Sequence, residues 1–258
     1  MHFSQLAEDR GFILLAPDGT DTGGTTFWAA TDACCNFVNS PVDDSGYLRA
    51  LIEGTQAAWP VDPKRIYVSG HSNGGFMSYR MGCDHSDLIA GIASLAGAAF
   101  NHAPTTLPTV GAYSCDPSSP LHVLQVHGNS DGTVSYNGGN FGHAYPGAVG
   151  SVNRWAAFNG CDAQSAPTPP VVPAVSWDLA TPVGDDTSSA RHGNCPAGGS
   201  AELWTISGGP HVPHLCAEEG VAGVAVSAAG GCTSSVPADG WPRLSARMVD
   251  WLLERRKP

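Results

Sequence analysis

A chain of 258 residues, 42% apolar and 14% charged, with 32 glycines and 20 prolines, carries enough apolar material for one large α/β core and too little charge for a coiled coil or a disordered protein. Twelve basic against 23 acidic residues give a formal charge of −11 with no basic run, which argues against nucleic acid and anionic membrane as partners and reads as solubility. No apolar run approaches the length of a membrane span.

In chain order, residues 3–10 read as the end of a helix. Phe12-Ile13-Leu14-Leu15-Ala16, a short unbroken apolar run closed by Pro17-Asp18-Gly19, has the pattern of a buried parallel strand. Residues 20–42, rich in Gly, Thr, Asp and Asn around Trp28 and the pair Cys34-Cys35, read as a long functional loop. Asp43 or Asp44 caps a helix that runs to about Trp59, with Tyr47, Leu48, Leu51 and Ile52 at helical spacing; Pro60 and Pro63 stop it. Strands are expected at 65–69, 89–95, 121–126 and 202–206. Helices are expected from Gly74 to Met81, over 151–159 and over 244–256, the last with Leu244, Met248, Trp251 and Leu252 on one face. The Pro-, Thr-, Ser- and Gly-rich stretch 163–200 reads as an excursion. Strands alternating with helices predict an α/β fold, a mostly parallel sheet with helices on both faces, in a single domain over residues 1–258.

Eight cysteines, Cys34, Cys35, Cys83, Cys115, Cys161, Cys195, Cys216 and Cys232, lack the paired spacing of a zinc site. Their even and high number fits a disulfide-bearing protein of an oxidising compartment, secreted or periplasmic, although the opening residues have no basic or apolar region of a signal peptide. The expected pairs are Cys161–Cys195 and Cys216–Cys232. Cys34 and Cys35 are expected to reach separately to Cys83 and Cys115, because adjacent cysteines rarely bond to each other.

The pattern Gly-x-Ser-x-Gly occurs twice, at Gly70-His71-Ser72-Asn73-Gly74 and at Gly128-Asn129-Ser130-Asp131-Gly132. Context separates them. A nucleophile elbow needs a strand before it and a helix after it, so that the serine Oγ projects at a helix N-terminus. The first match has both. The second is followed by Thr133-Val134-Ser135-Tyr136-Asn137-Gly138-Gly139, which is not helical, so Ser72 is the candidate nucleophile. A serine hydroxyl needs a base held by a carboxylate, and in this architecture the order is Ser, Asp or Glu, then His. Asp131, just past the carboxyl end of strand 121–126, fits better than Asp162, Asp178, Asp185 or Asp186. His211, in the loop after strand 202–206, is the candidate base; His214 competes with it, and His127 lies too close to Asp131 in sequence. The spacing His211-x-x-His214-x-Cys216 is read as no metal site, since Cys216 has a disulfide partner in Cys232. No metal or other cofactor is expected. The Asn73 N–H is the candidate oxyanion donor. Trp28, Trp241 and His71 are candidates for lining a substrate cleft, with packing the commoner use of a tryptophan.

The segments Gly11–Gly19, Phe27-Trp28 with Thr31-Asp32-Ala33-Cys34-Cys35, Val42-Asp43-Asp44, Gly70–Gly75, His127–Asp131, Trp155–Cys161 and Glu202–His211 together resemble the poly(3-hydroxybutyrate) depolymerase/feruloyl esterase group, the LpqC-like branch of the α/β-hydrolases. The resemblance covers nearly the whole chain. It implies Ser72 as nucleophile, Asp131 as acid and His211 as base, in a secreted esterase acting on polyester or hydroxycinnamate-type esters. It also implies strands ahead of the first helix, one with a His-Gly turn whose N–H supplies half of the oxyanion hole. This chain opens on the helix that follows that strand. In the implied sheet order the strand lies between 12–16 and 65–69, so the expectation is either a start assigned too late or an adapted fold, in which these two strands pair directly or another chain, in a homo-oligomer, fills the gap; loop 20–28 is the place from which a replacement donor would come.

The expectation is therefore acyl transfer from an ester, polymeric or small, through an acyl-enzyme. The alternatives are a peptidase or acyltransferase on the same fold, and a catalytically impaired binding protein lacking the second oxyanion donor.

Overall fold

The computed structural model describes residues 3–21, 23–37, 41–100, 115–162, 187–212 and 244–258. Its elements are α1 (Phe3–Arg10), β1 (Thr20–Asp21), β2 (Thr26–Phe27), α2 (Asp44–Ala58), β3 (Tyr67–His71), α3 (Asn73–Asp84), β4 (Gly91–Leu95), β5 (His122–Gly128), β6 (Gly138–Asn140), β7 (Ala144–Pro146), α4 (Ala148–Asn159), β8 (Thr187–Arg191), β9 (Ser200–Ile206) and α5 (Leu244–Leu253). The central sheet has the order β3-β4-β5-β9-β8; the first four strands run parallel and β8 is antiparallel to β9. This is a fold of α/β-hydrolase type.

Parallel strands covered on both faces must be apolar on both. Ile92 and Val123 face one layer, where Phe76, Tyr79 and Met81 of α3 and Trp155 of α4 are buried. The next residues along, Ala93 and Leu124, turn to the other layer and meet Leu244, Met248, Trp251 and Leu252 of α5, the stripe read from the sequence. Helix α2 begins as expected, with the Asp43 side chain accepting the Gly46 N–H at 2.9 Å.

Residues 12–16 correct the sequence reading. They form no strand, and Ile13 and Leu15 are exposed. They do not pair with β3, which among the described residues stands at the edge of the sheet. An apolar run marks what tends to be buried; a strand exists only where a neighbour takes its ladder hydrogen bonds. Part of the expected excursion is also regular, since β8 closes the far edge of the sheet.

Cys161 bonds Cys195, as expected. The other pairing differs: Cys83 bonds Cys115, and Cys34 bonds its neighbour Cys35. The reason lies along α3. Cys34 Sγ sits against Asn73 Nδ2 at the start of that helix, while Cys83 is near its end. Ten residues of helix separate those points by about 15 Å, far beyond the span of a disulfide. Cys216 and Cys232 lie outside the described residues, as do His214, Trp241, Asp178, Asp185 and Asp186.

Candidate active site

Ser72 stands between the last residue of β3 and the first of α3, with φ 55° and ψ −117°. A non-glycine residue at positive φ is strained and persists only where its surroundings fix it. Here the Ser72 N–H donates to Leu95 O (2.8 Å) and the Phe76 N–H to Ser72 O (3.0 Å). The turn is so tight that a Cβ on Gly70 would run into the Gly74 backbone. The serine side chain makes no capping bond to α3; its Oγ lies 2.9 Å from His211 Nε2.

His211 reaches that position from the loop after β9. The Ser130 N–H donates to Gly209 O (3.1 Å) and the Gly208 N–H to Asn129 Oδ1 (2.7 Å), so the loops after β5 and β9 are tied together. That tie brings His211 Nδ1 to 2.8 Å from Asp131 Oδ2. His71 Nε2 lies 2.8 Å from His211 O, where it donates, and the two rings are 4.8 Å apart between centroids. Burial lowers the His71 imidazole from its ordinary range, against the opposing effect of the His211 carbonyl.

The Asp131 side chain has no exposed surface. Burial pushes its carboxyl up, but hydrogen bonds outweigh that and hold it well below the usual carboxylate range. Oδ1 accepts the N–H groups of Thr133 (2.8 Å) and Val134 (2.9 Å). Oδ2 is shared by His211 and by His127 Nε2 at 3.2 Å. The sequence reading set His127 aside as a base and gave it no other part. The signal was its place at the end of β5, four residues ahead of Asp131.

The loop before α2 forms a wall beside the elbow. Asn73 Oδ1 accepts the Trp28 N–H (2.7 Å), and Asn73 Nδ2 donates to Trp28 O (2.9 Å). Asp44 Oδ2 accepts the Ala29 N–H (2.6 Å), and Arg80 Nη1 donates to Ala30 O. The Trp28 ring packs half-buried against the core. Asn73 opens α3, so its own N–H has no acceptor within the helix. Among the described residues, no group of three His, Cys, Asp or Glu side chains is disposed to hold a metal, and no helix is long and apolar enough to cross a membrane.

The structure thus brings Ser72, His211 and Asp131 into one hydrogen-bonded line, with Asn73, His71 and Trp28 around it. No family model matches the chain. It is similar to feruloyl esterase B of Piromyces equi, 29% identical over 214 residues that make 81% of this chain and 35% of that protein. It is similar also to the poly(3-hydroxybutyrate) depolymerase of Ralstonia pickettii, 30% identical over 102 residues, which are 37% of this chain and 20% of that one. The chain therefore spans about a third of the length of the first of these relatives, and less of the second. Among solved structures, the acetyl xylan esterase from Aspergillus awamori superposes with a TM-score of 0.56 over 82% of this chain and 77% of its own, at 17% identity, a likeness of fold. The resemblance carried by the motifs stands: relatives of this chain are named feruloyl esterase and poly(3-hydroxybutyrate) depolymerase.

Proposed function

From a chain related to feruloyl esterases and poly(3-hydroxybutyrate) depolymerases, on a fold of α/β-hydrolase type, we propose a serine carboxylic ester hydrolase that works through Ser72, His211 and Asp131. The observation that carries the reading is His211 itself, 2.9 Å from the serine oxygen through one nitrogen and 2.8 Å from a buried carboxylate through the other. With Nδ1–H donated to Asp131, the Nε2 lone pair faces the Ser72 hydroxyl. His211 takes that proton as Oγ attacks the ester carbonyl. The tetrahedral oxyanion is held by the Asn73 N–H at the positive end of α3. Collapse breaks the ester C–O bond, and His211 returns the proton to the leaving alcohol. Water, activated by the same imidazole, then releases the acid and restores Ser72.

We further propose hydroxycinnamate or polyester-type esters as substrates, with Trp28 lining the acyl side. Disulfides such as Cys83–Cys115 and Cys161–Cys195 persist in an oxidising compartment, which favours a secreted or periplasmic protein. The outer edge of β3 is where a strand of another chain would add, an assembly that sedimentation measures.

A second reading, a catalytically impaired binding protein, is favoured by one observation. The N–H groups of Trp28 and Ala29 are taken by Asn73 and Asp44, so neither is available as the second oxyanion donor. A site with one donor runs about 10²–10³-fold slower. Hydrolysis of p-nitrophenyl acetate and methyl ferulate by the wild type, lost in Ser72→Ala, is the test. Turnover that survives in Ser72→Ala ends the hydrolase reading, and no turnover in the wild type favours the binding protein.

A further inference from the structure

Behind Asp131 a second chain of buried polar groups runs into the core. Gln125 and His127 alternate on β5, both buried, and Tyr79 reaches them from α3. Gln125 Nε2 lies 2.9 Å from Gly97 O and 3.0 Å from His127 Nδ1, and Gln125 Oε1 lies 2.9 Å from the Tyr79 hydroxyl. His127 Nε2 lies 2.9 Å from Val134 O and 3.2 Å from Asp131 Oδ2.

The protons in this chain are fixed from both ends. The Gly97 carbonyl only accepts, so the amide nitrogen of Gln125, not its oxygen, must face it. The amide oxygen then takes the Tyr79 proton; burial pushes that phenol far above its ordinary range and keeps it a donor. The same amide nitrogen faces His127 Nδ1, which must therefore be the acceptor. The imidazole proton is left on Nε2, where both neighbours, the Val134 carbonyl and the Asp131 carboxylate, only accept. Every member is satisfied in one arrangement, and turning the Gln125 amide over would set oxygen against oxygen at Gly97.

We infer that His127 is a positioning residue for the triad: held as the Nε2–H form by Gln125 and Tyr79, it donates to Asp131 Oδ2 beside His211 and fixes how that carboxylate meets the base. This rests on the reading of Ser72, His211 and Asp131 as the catalytic set. The consequence is twofold. The carboxylate cannot rotate away from His211 without breaking bonds at both oxygens. Its Oδ2 is also shared by two imidazoles, so the place of one on that oxygen limits the place of the other. The titratable groups that face this line are Asp131 and His127 from β5 and its turn, His211 from the loop after β9, His71 from the end of β3, Tyr79 from α3, and Tyr136, whose ring edge meets His127 at 5.7 Å.

Two measurements test it. Nitrogen-15 histidine NMR of the wild-type protein near neutral pH is expected to find His127 protonated at Nε2 and bare at Nδ1; a proton on Nδ1 overturns the inference. His127→Phe removes the donor, and His127→Gln keeps an N–H close to the Nε2 position. Looser orientation of the base costs roughly ten- to a hundredfold. His127→Phe is therefore expected to lower kcat on p-nitrophenyl acetate by that factor with KM unchanged. His127→Gln should recover most of this loss. Equal behaviour of the two variants overturns the inference. Should His127→Phe fail to fold, the wild-type tautomer and the His211 Nδ1–H resonance in His127→Gln decide. These NMR readouts need no turnover, so a wild type that hydrolyses no ester ends the catalytic reading while the positioning of Asp131 is still judged.

Discussion

The Asn73 side chain grips Trp28 at both ends of one residue, accepting its N–H at 2.7 Å and donating to its carbonyl at 2.9 Å. The residue whose backbone follows the nucleophile thus also anchors the irregular loop beside it. Asn73→Ala leaves both Trp28 groups without these partners and should cost about 1–3 kcal/mol. We expect a lower melting temperature, faster exchange of the Trp28 amide and a reduced kcat/KM. An unchanged Trp28 exchange rate contradicts the anchoring role.

Asp131→Asn keeps an acceptor for Thr133 and Val134 but presents an amide to His211 and favours the wrong imidazole tautomer. A loss of about 10⁴-fold in kcat with little change in KM is expected, by analogy with the triad of other hydrolases. A loss confined to KM removes Asp131 from the proposed role.

His71 sets a pH dependence of stability. Burial lowers its imidazole in the folded state, so the unfolded chain takes the proton first. Stability is then full above the unfolded value, about pH 6.5, and lost as pH falls toward the folded one. The urea midpoint of the wild type should fall on acidification from about pH 7 to pH 5.5. His71→Gln, which keeps a donor for the His211 carbonyl, should flatten that fall. The same slope in both proteins rules the assignment out.

Gly70→Ala places a methyl group against the Gly74 backbone, which cannot step aside without opening the elbow. Overpacking of this kind costs typically about 1–3 kcal/mol. The expected outcome is lower stability together with lost esterase activity. Wild-type kinetics in a fully stable variant contradict the geometry of the turn.

The local features were legible in the sequence because each is a short-range decision. The strand, tight glycine turn and helix around Ser72 lie within about twenty residues, and the Asp43 cap and the apolar stripe of α5 are shorter still. The candidate partners Asp131 and His211 could be named from the sequence because strand ends in a parallel sheet share one edge. What failed depends on neighbours far along the chain. Residues 12–16 have the composition of a strand but no ladder partner among the described residues, and β8 gains regularity from lying beside β9. The pairing of Cys34 and Cys35 follows from the length of α3, which spacing alone does not weigh. His127 was judged only as a base, because its contact with Asp131 needs the turn at 128–131 to fold one over the other.

The most direct test of the central claim is the site of attack by a fluorophosphonate probe, read by peptide mass spectrometry. The account predicts one adduct per chain, on Ser72, formed in the wild type and lost in His211→Ala although that variant stays folded. An adduct on Ser130, or ester hydrolysis that continues with Ser72 unmodified, contradicts it.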